Sequence, residues 1–224
     1  ARFVDSPLGP IPDGWKASSL GDAIAINRSS ICANYPHVEI EYIDISSVAE
    51  GELLGTTRYA IEMPPSRAKR LVSDGDTVWS CVRPNRKSFL FVDSPQDNLV
   101  ASTGFAVLTP VGVTPSFLYS LTTTDEFVDH LTAHAEGSAY PAVRPEAFQR
   151  AECVLPPREL LDGFESIVRP MRKRIAAHRE ESVRLAATRD ALLPQLRGQG
   201  LFQPVGVRPV VLQAGRGGRN SDAA

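Results

Sequence analysis

The stretch LLDGFESIVRPMRKRIAAHREESVRLAATRDALLPQL, residues 160–196, decides how the rest of the chain is read. Taking every third and fourth position in turn gives Leu161, Phe164, Val168, Met171, Ile175, His178, Ser182, Leu185, Arg189, Leu192 and Leu196. Most are apolar, while Arg172, Lys173, Arg174, Arg179, Glu180, Glu181 and Arg184 flank them with charge. That spacing gathers the side chains into one narrow stripe, the seam that a second helix covers in a coiled coil. His178, Ser182 and Arg189 interrupt the stripe, and the plainer alternative is the core face of an ordinary helix. A proline ring fits the first turn of a helix and not its interior, so Pro170 predicts a short helix ending near Val168 and a long one beginning at Pro170. At roughly 1.5 Å per residue the long helix measures about 40 Å, more than a small domain is wide. A helix of that length would leave its leucines in water unless another helix paired with it. Met171, Ile175, Leu185, Leu192 and Leu196 are the expected pairing residues, and a second copy of the chain is the expected partner.

Upstream, residues 1–157 carry the signals of one globular domain of mixed strands and helices, an α+β body. A Pro- and Gly-rich lead-in, residues 6–14, precedes a first element at residues 15–18. Residues 38–45 alternate and carry β-branched residues, so they read as a strand, and residues 77–82, after the turn Asp74-Gly75-Asp76, as a second. Residues 88–92 read as its neighbour across the loop Arg83-Pro84-Asn85-Arg86-Lys87, and residues 105–108 as a further strand. Residues 66–71 read as a short helical turn and residues 115–135 as one helix with Phe117, Leu118, Leu121, Phe127, Val128 and Leu131 on its apolar side. A short helix at 145–150 and a strand at 152–155 close the body before Pro156-Pro157. Residues 158–198 are the helical arm, and residues 199–224, rich in Gly, Arg and Pro without period, are expected to be disordered.

Composition excludes several classes. Hydrophobic content of 42% and charged content of 22% are ordinary for a globular chain, and no apolar run reaches membrane-spanning length. The N-terminus lacks the apolar stretch of a signal peptide, which together with three widely spaced cysteines, Cys32, Cys81 and Cys153, predicts a reducing, cytoplasmic setting without a zinc site. A net charge of −2 argues against a surface that grips nucleic acid everywhere, yet leaves room for a local cationic patch.

That patch is the informative constellation. Arg67, Lys69 and Arg70 fall in one short turn, and Arg83, Asn85, Arg86 and Lys87 in one loop. Such groups reach phosphates, and Arg, Asn and Ser pair with base edges in the major groove. The plain alternative is solvated surface. His130 and His134 stand one helical turn apart, but position 131 is Leu where a zinc-protease motif carries its glutamate, and no third ligand is evident. Neither they nor Ser138 find a base, nucleophile and orienter at a recognisable spacing, so no catalytic residue and no metal is expected.

One order of short motifs points further: Gly9-Pro10-Ile11-Pro12-Asp13-Gly14-Trp15; Tyr42-Ile43-Asp44-Ile45; Gly75-Asp76-Thr77-Val78-Trp79-Ser80 with Arg83-Pro84; Ala101-Ser102-Thr103-Gly104-Phe105; Gly137-Ser138-Ala139-Tyr140-Pro141; Val154-Leu155-Pro156-Pro157; and Arg189-Asp190-Ala191-Leu192-Leu193-Pro194-Gln195-Leu196. In this order they resemble one half of a type I restriction-modification specificity subunit, a target recognition domain followed by a conserved spacer helix. The resemblance implies a non-catalytic chain that reads part of a split site in double-stranded DNA. It would direct adenine methylation and cleavage by partner methyltransferase and restriction subunits, with S-adenosylmethionine bound by the methyltransferase and no cofactor here. It adds Ser102, Thr103, Ser138 and Tyr140 to the expected DNA-contacting residues. Specificity subunits usually carry two such halves. The chain is therefore either a half-size subunit that pairs with a second copy or a fragment of a longer one. The rival from another class is a helical adaptor whose body binds protein and not DNA.

Overall fold

The computed structural model describes residues 2–198, with side chains as far as Pro194. In chain order its main elements are β1 (Lys16–Ser19), β2 (Ile24–Ile26), β3 (Glu39–Ile43), β4 (Thr57–Ala60), β5 (Ala68–Leu71), β6 (Thr77–Ser80), β7 (Phe89–Phe91), β8 (Leu99–Ser102) and β9 (Phe105–Pro110). Then follow α1 (Pro115–Thr122), α2 (Asp125–Ala133), α3 (Pro145–Gln149), β10 (Glu152–Leu155) and α4 (Arg158–Gly198). The expected α+β class stands, and the described chain divides into two units between Arg174 and Ile175.

The core begins with β6, buried on both faces. It lies in an antiparallel sheet ordered β7-β6-β9-β2. Successive strand residues point to opposite faces. Trp79, Ala106 and Leu108 accordingly face Leu118, Phe127, Leu131 and Phe148 of the three short helices. Val78, Phe105 and Val107 face Ile43 and Ala101 of a second sheet. That sheet is ordered β4-β3-β8-β5, with β8 parallel to β3 and the other pairs antiparallel. Trp79 is fully buried, its indole N–H donates to the Thr122 carbonyl at 2.9 Å, and Phe89, Phe127 and Phe148 surround its ring.

Three local expectations are corrected. Residues 68–71 form strand β5, because β8 pairs with it on one side and the Ile31 N–H reaches the Lys69 carbonyl on the other. The helix expected over 115–135 is two helices: Thr124 is extended, and its hydroxyl accepts the Phe127 N–H and starts α2. Pro170 does not split the arm, since α4 runs unbroken from Arg158 to Gly198. A proline forfeits one helical hydrogen bond. Side chains on both sides of Pro170 carry the backbone across by gripping the body. Arg169 meets Asp74 at 2.7 Å, Asp93 at 3.0 Å and Glu165 at 3.6 Å. Arg172 lies 4.0 Å from the centre of the Tyr119 ring and donates to Ser120. Glu165 also accepts the Ser116 N–H at 2.8 Å, which satisfies a free donor at the start of α1.

The body takes up the start of the stripe that the spacing selects. Leu161 is buried in the core and Val168 is half-buried, whereas Leu160, Ile167 and Met171 are exposed. Beyond Val168 the described members of that stripe, from Met171 to Leu192, are exposed. Among the described residues no helix is long and apolar enough to cross a membrane. The tail over 199–224 and the Leu196 side chain lie outside the described residues.

Candidate nucleic-acid interface

Four backbone hydrogen bonds lace together the segments that carry the sequence-predicted contact residues. The Thr103 N–H donates to the Arg67 carbonyl at 2.8 Å, and the Cys81 N–H to the Gly104 carbonyl at 2.8 Å. The Val143 N–H donates to the Cys81 carbonyl at 2.8 Å, and the Arg83 N–H to the Pro141 carbonyl at 2.7 Å. The chain around 67, 103, 81–83 and 141–143 is thereby laid side by side, although these segments lie up to some seventy-odd positions apart in sequence. Arg67, Thr103, Arg83, Ser138 and Tyr140 thus come from loops that abut one another.

The β8–β9 turn is shaped from below. Ser102 is fully buried, and its hydroxyl accepts the Gly104 N–H at 3.2 Å. A Cβ on Gly104 would meet the end of the Ile45 side chain, which would have to shift. Tyr42 bonds to Ser102 and donates to Asp44 at 3.3 Å; burial pushes the Tyr42 hydroxyl above its ordinary value, and Asp44 adds to the effect. Ser102, expected among the DNA-contacting residues, is buried beneath the turn that carries exposed Thr103. Sequence reasoning missed the roles of Tyr42 and Asp44, because nothing in the pattern of β3 signals a contact with a turn sixty residues away.

The basic loop contains a single 3-10 turn, Pro84–Arg86, between two residues in the left-handed region, Arg83 at φ 51° and Lys87 at φ 53°. Pro84 is buried beneath it. Arg83 lies 4.6 Å from the centre of the Tyr140 ring and donates to the Ala139 carbonyl at 3.4 Å. Lys87 meets Asp125, at the start of α2, at 2.7 Å. The hydrogen bond and charge of that pair raise the Lys87 ammonium above its ordinary range and hold the Asp125 carboxyl below it. Asn85 and Arg86 stand exposed between these two braces.

The remaining expected residues divide by exposure. Lys69 is exposed on β5, whereas Arg70 is half-buried, its Nε shielded from water, and its charge faces Cys81. Burial outweighs that charge and pushes the Cys81 thiol up to about 11, an inert state. His130 bonds to the Ala147 carbonyl at 2.9 Å and His134 to the His130 carbonyl at 2.8 Å, so each ring has a nitrogen occupied. Among the described residues no group of three or more His, Cys, Asp or Glu could hold a metal ion. Of the expected helix-pairing residues, Met171, Ile175, Leu185 and Leu192 are all about half exposed or more.

A mixed α+β body whose loops align cationic and polar side chains, followed in the chain by a long helix with exposed apolar residues, has the build of a recognition module with a helical spacer. No family model matches the sequence. Individual relatives do. The chain is 28% identical over 166 residues to the type I restriction enzyme HindI specificity subunit of Haemophilus influenzae, covering 72% of this chain and 36% of that protein. It is 21% identical over 203 residues to the MjaIX specificity subunit of Methanocaldococcus jannaschii, covering 83% of this chain and 44% of that one. Among solved structures it resembles a chain from work on complex assembly and conformational transition of the type I R-M system. That match has a TM-score of 0.62 and 25% identity, over 88% of this chain and 52% of the other. The HsdS subunit of Thermoanaerobacter tengcongensis shares the fold with a TM-score of 0.63 at 23% identity, over 92% of this chain and 54% of that subunit. In sequence and fold, then, the chain is a relative of type I restriction specificity subunits. It spans about half the length of the relatives it matches, or less.

Proposed function

We propose that the chain is a non-catalytic DNA-recognition module of the type I specificity kind, reading one part of a split duplex site. One observation carries this reading: the laced loops bring Arg67, Thr103, Arg83, Asn85, Arg86, Ser138 and Tyr140 to neighbouring places on a body related to specificity subunits. Loops on a rigid sheet scaffold are where recognition residues concentrate. Guanidinium and ammonium groups there meet phosphates, while amide, hydroxyl and guanidinium groups read base edges.

Under this reading the partners are double-stranded DNA and the methyltransferase and restriction subunits of a cytoplasmic complex. S-adenosylmethionine belongs to the methyltransferase, and this chain needs no cofactor. The exposed residues Met171, Ile175, Leu185 and Leu192 favour pairing of α4 with a second helix. A second copy of the chain supplies that helix, giving a homodimer with two recognition bodies.

The test is binding of the full chain to duplex DNA as salt is raised from 50 to 200 mM. Each phosphate neutralised contributes a slope of about −0.9 in log affinity against log salt, so several contacts give a steep fall. Binding of protein partners without any salt-sensitive DNA affinity would instead identify the helical adaptor.

A further inference from the structure

The five-residue basic turn separates into two kinds of residue that its sequence does not distinguish. Arg83 is committed to the Tyr140 ring and the Ala139 carbonyl, and Lys87 to Asp125 at 2.7 Å. Both hold left-handed backbone conformations, which is uncommon for residues with side chains. Such strain persists only where the surroundings enforce it. Here the enforcement is visible: Pro84 is buried beneath the turn, Arg86 N–H closes onto the Arg83 carbonyl at 2.9 Å, and Lys87 N–H onto the Pro84 carbonyl at 3.0 Å. Asn85 and Arg86 at the apex are exposed, and among the described residues their side chains make no hydrogen bond or ion pair.

We infer that Asn85 and Arg86 are the base-reading pair of this loop, and that Arg83–Tyr140 and Lys87–Asp125 are braces that hold the turn still for them. The inference rests on the DNA-binding reading above and assigns roles within it. A guanidinium fork bonds the O6 and N7 acceptors of guanine, and a carboxamide bonds the N6 and N7 of adenine. A rigid turn spares both side chains most of the ordering cost that a mobile loop would impose on binding. Tyr140 and Asp125 are positioning residues, acting through Arg83 and Lys87.

The experiment is selection of the full chain on randomised duplex DNA, followed by sequencing of the bound pool. Wild type should enrich a motif containing purines that Asn85 and Arg86 contact. Asn85→Ala and Arg86→Ala should each lower the preference at one or two positions by roughly tenfold or more and leave the other positions intact. Arg86→Lys keeps the charge but loses the fork, so it should lose the same preference with overall affinity nearly retained. Tyr140→Ala and Asp125→Ala should weaken affinity severalfold with the motif unchanged. Since Asn85 and Arg86 are exposed, their replacement leaves the fold in place. A wild-type motif that survives intact in both apex variants would overturn the assignment while leaving DNA recognition standing, as would a motif altered only by the brace variants. No enrichment and no duplex binding by wild type would remove the DNA-binding reading itself, and the assignment with it.

Discussion

Asp74 shows how single residues tie α4 to the body. Partial burial works against its charge, but the Ser94 N–H and the Arg169 guanidinium at 2.7 Å more than offset this and hold the carboxyl below its ordinary value. A carboxyl depressed in the folded state stabilises the fold above its unfolded-state value, near 4, and that contribution disappears as pH falls through the lower folded-state value. Asp74→Asn should therefore lower the urea midpoint at pH 7, and the gap from wild type should close as unfolding is repeated towards pH 3. Asp74 is half exposed, so the effect is small. A gap independent of pH would mean that the pair with Arg169 is not what the substitution removes. In the core the effect is larger: Trp79→Ala leaves a cavity among Phe89, Phe127 and Phe148 and should cost about 3–5 kcal/mol in chemical denaturation.

At the scale of elements, legibility followed the strength of local patterning. Strand β6 was readable because Thr77-Val78-Trp79-Ser80 lies between an Asp-Gly-Asp turn and Arg83-Pro84, with β-branched and aromatic residues that suit a pleated sheet. Strands β2, β4 and β8 were not, being three or four residues long with composition that a loop shares; β8 is placed by parallel pairing with β3, a contact fixed only in three dimensions. The basic loop was found from charge alone, but its division into braces and apex depends on Tyr140 and Asp125, distant positions that no spacing rule links to it. The burial of Ser102 was equally hidden, since a serine in a short strand reads as exposed. The long helix was legible, and its Pro170 misled because tertiary contacts override the local preference. That override has a consequence: Pro170→Ala restores the hydrogen bond to the Ser166 carbonyl and should stabilise the chain by about 1–3 kcal/mol. Thermal unfolding followed by circular dichroism reads this as a higher midpoint. A lower midpoint would indicate that Pro170 begins a helix.

For the whole molecule, a chain of net charge −2 holds DNA only through a local group of cations, and under the proposed reading that group lies on the laced loops. Helix pairing is a separate claim at this scale. Leu185→Glu with Leu192→Glu should convert a dimer to a monomer in light scattering without altering the unfolding of the body, and an unchanged mass would place the contact elsewhere. The central claim concerns the laced edge. Its most direct test compares the slope of log affinity against log salt for duplex DNA between wild type, Arg67→Ala and Arg58→Ala, a control whose guanidinium is already paired with Glu41 at 2.9 Å. Each lost phosphate contact reduces the slope by about one. Arg67→Ala should bind with a slope shallower by about one, and the control should match wild type. Equal slopes for all three would contradict the assignment of the DNA-binding surface to this edge.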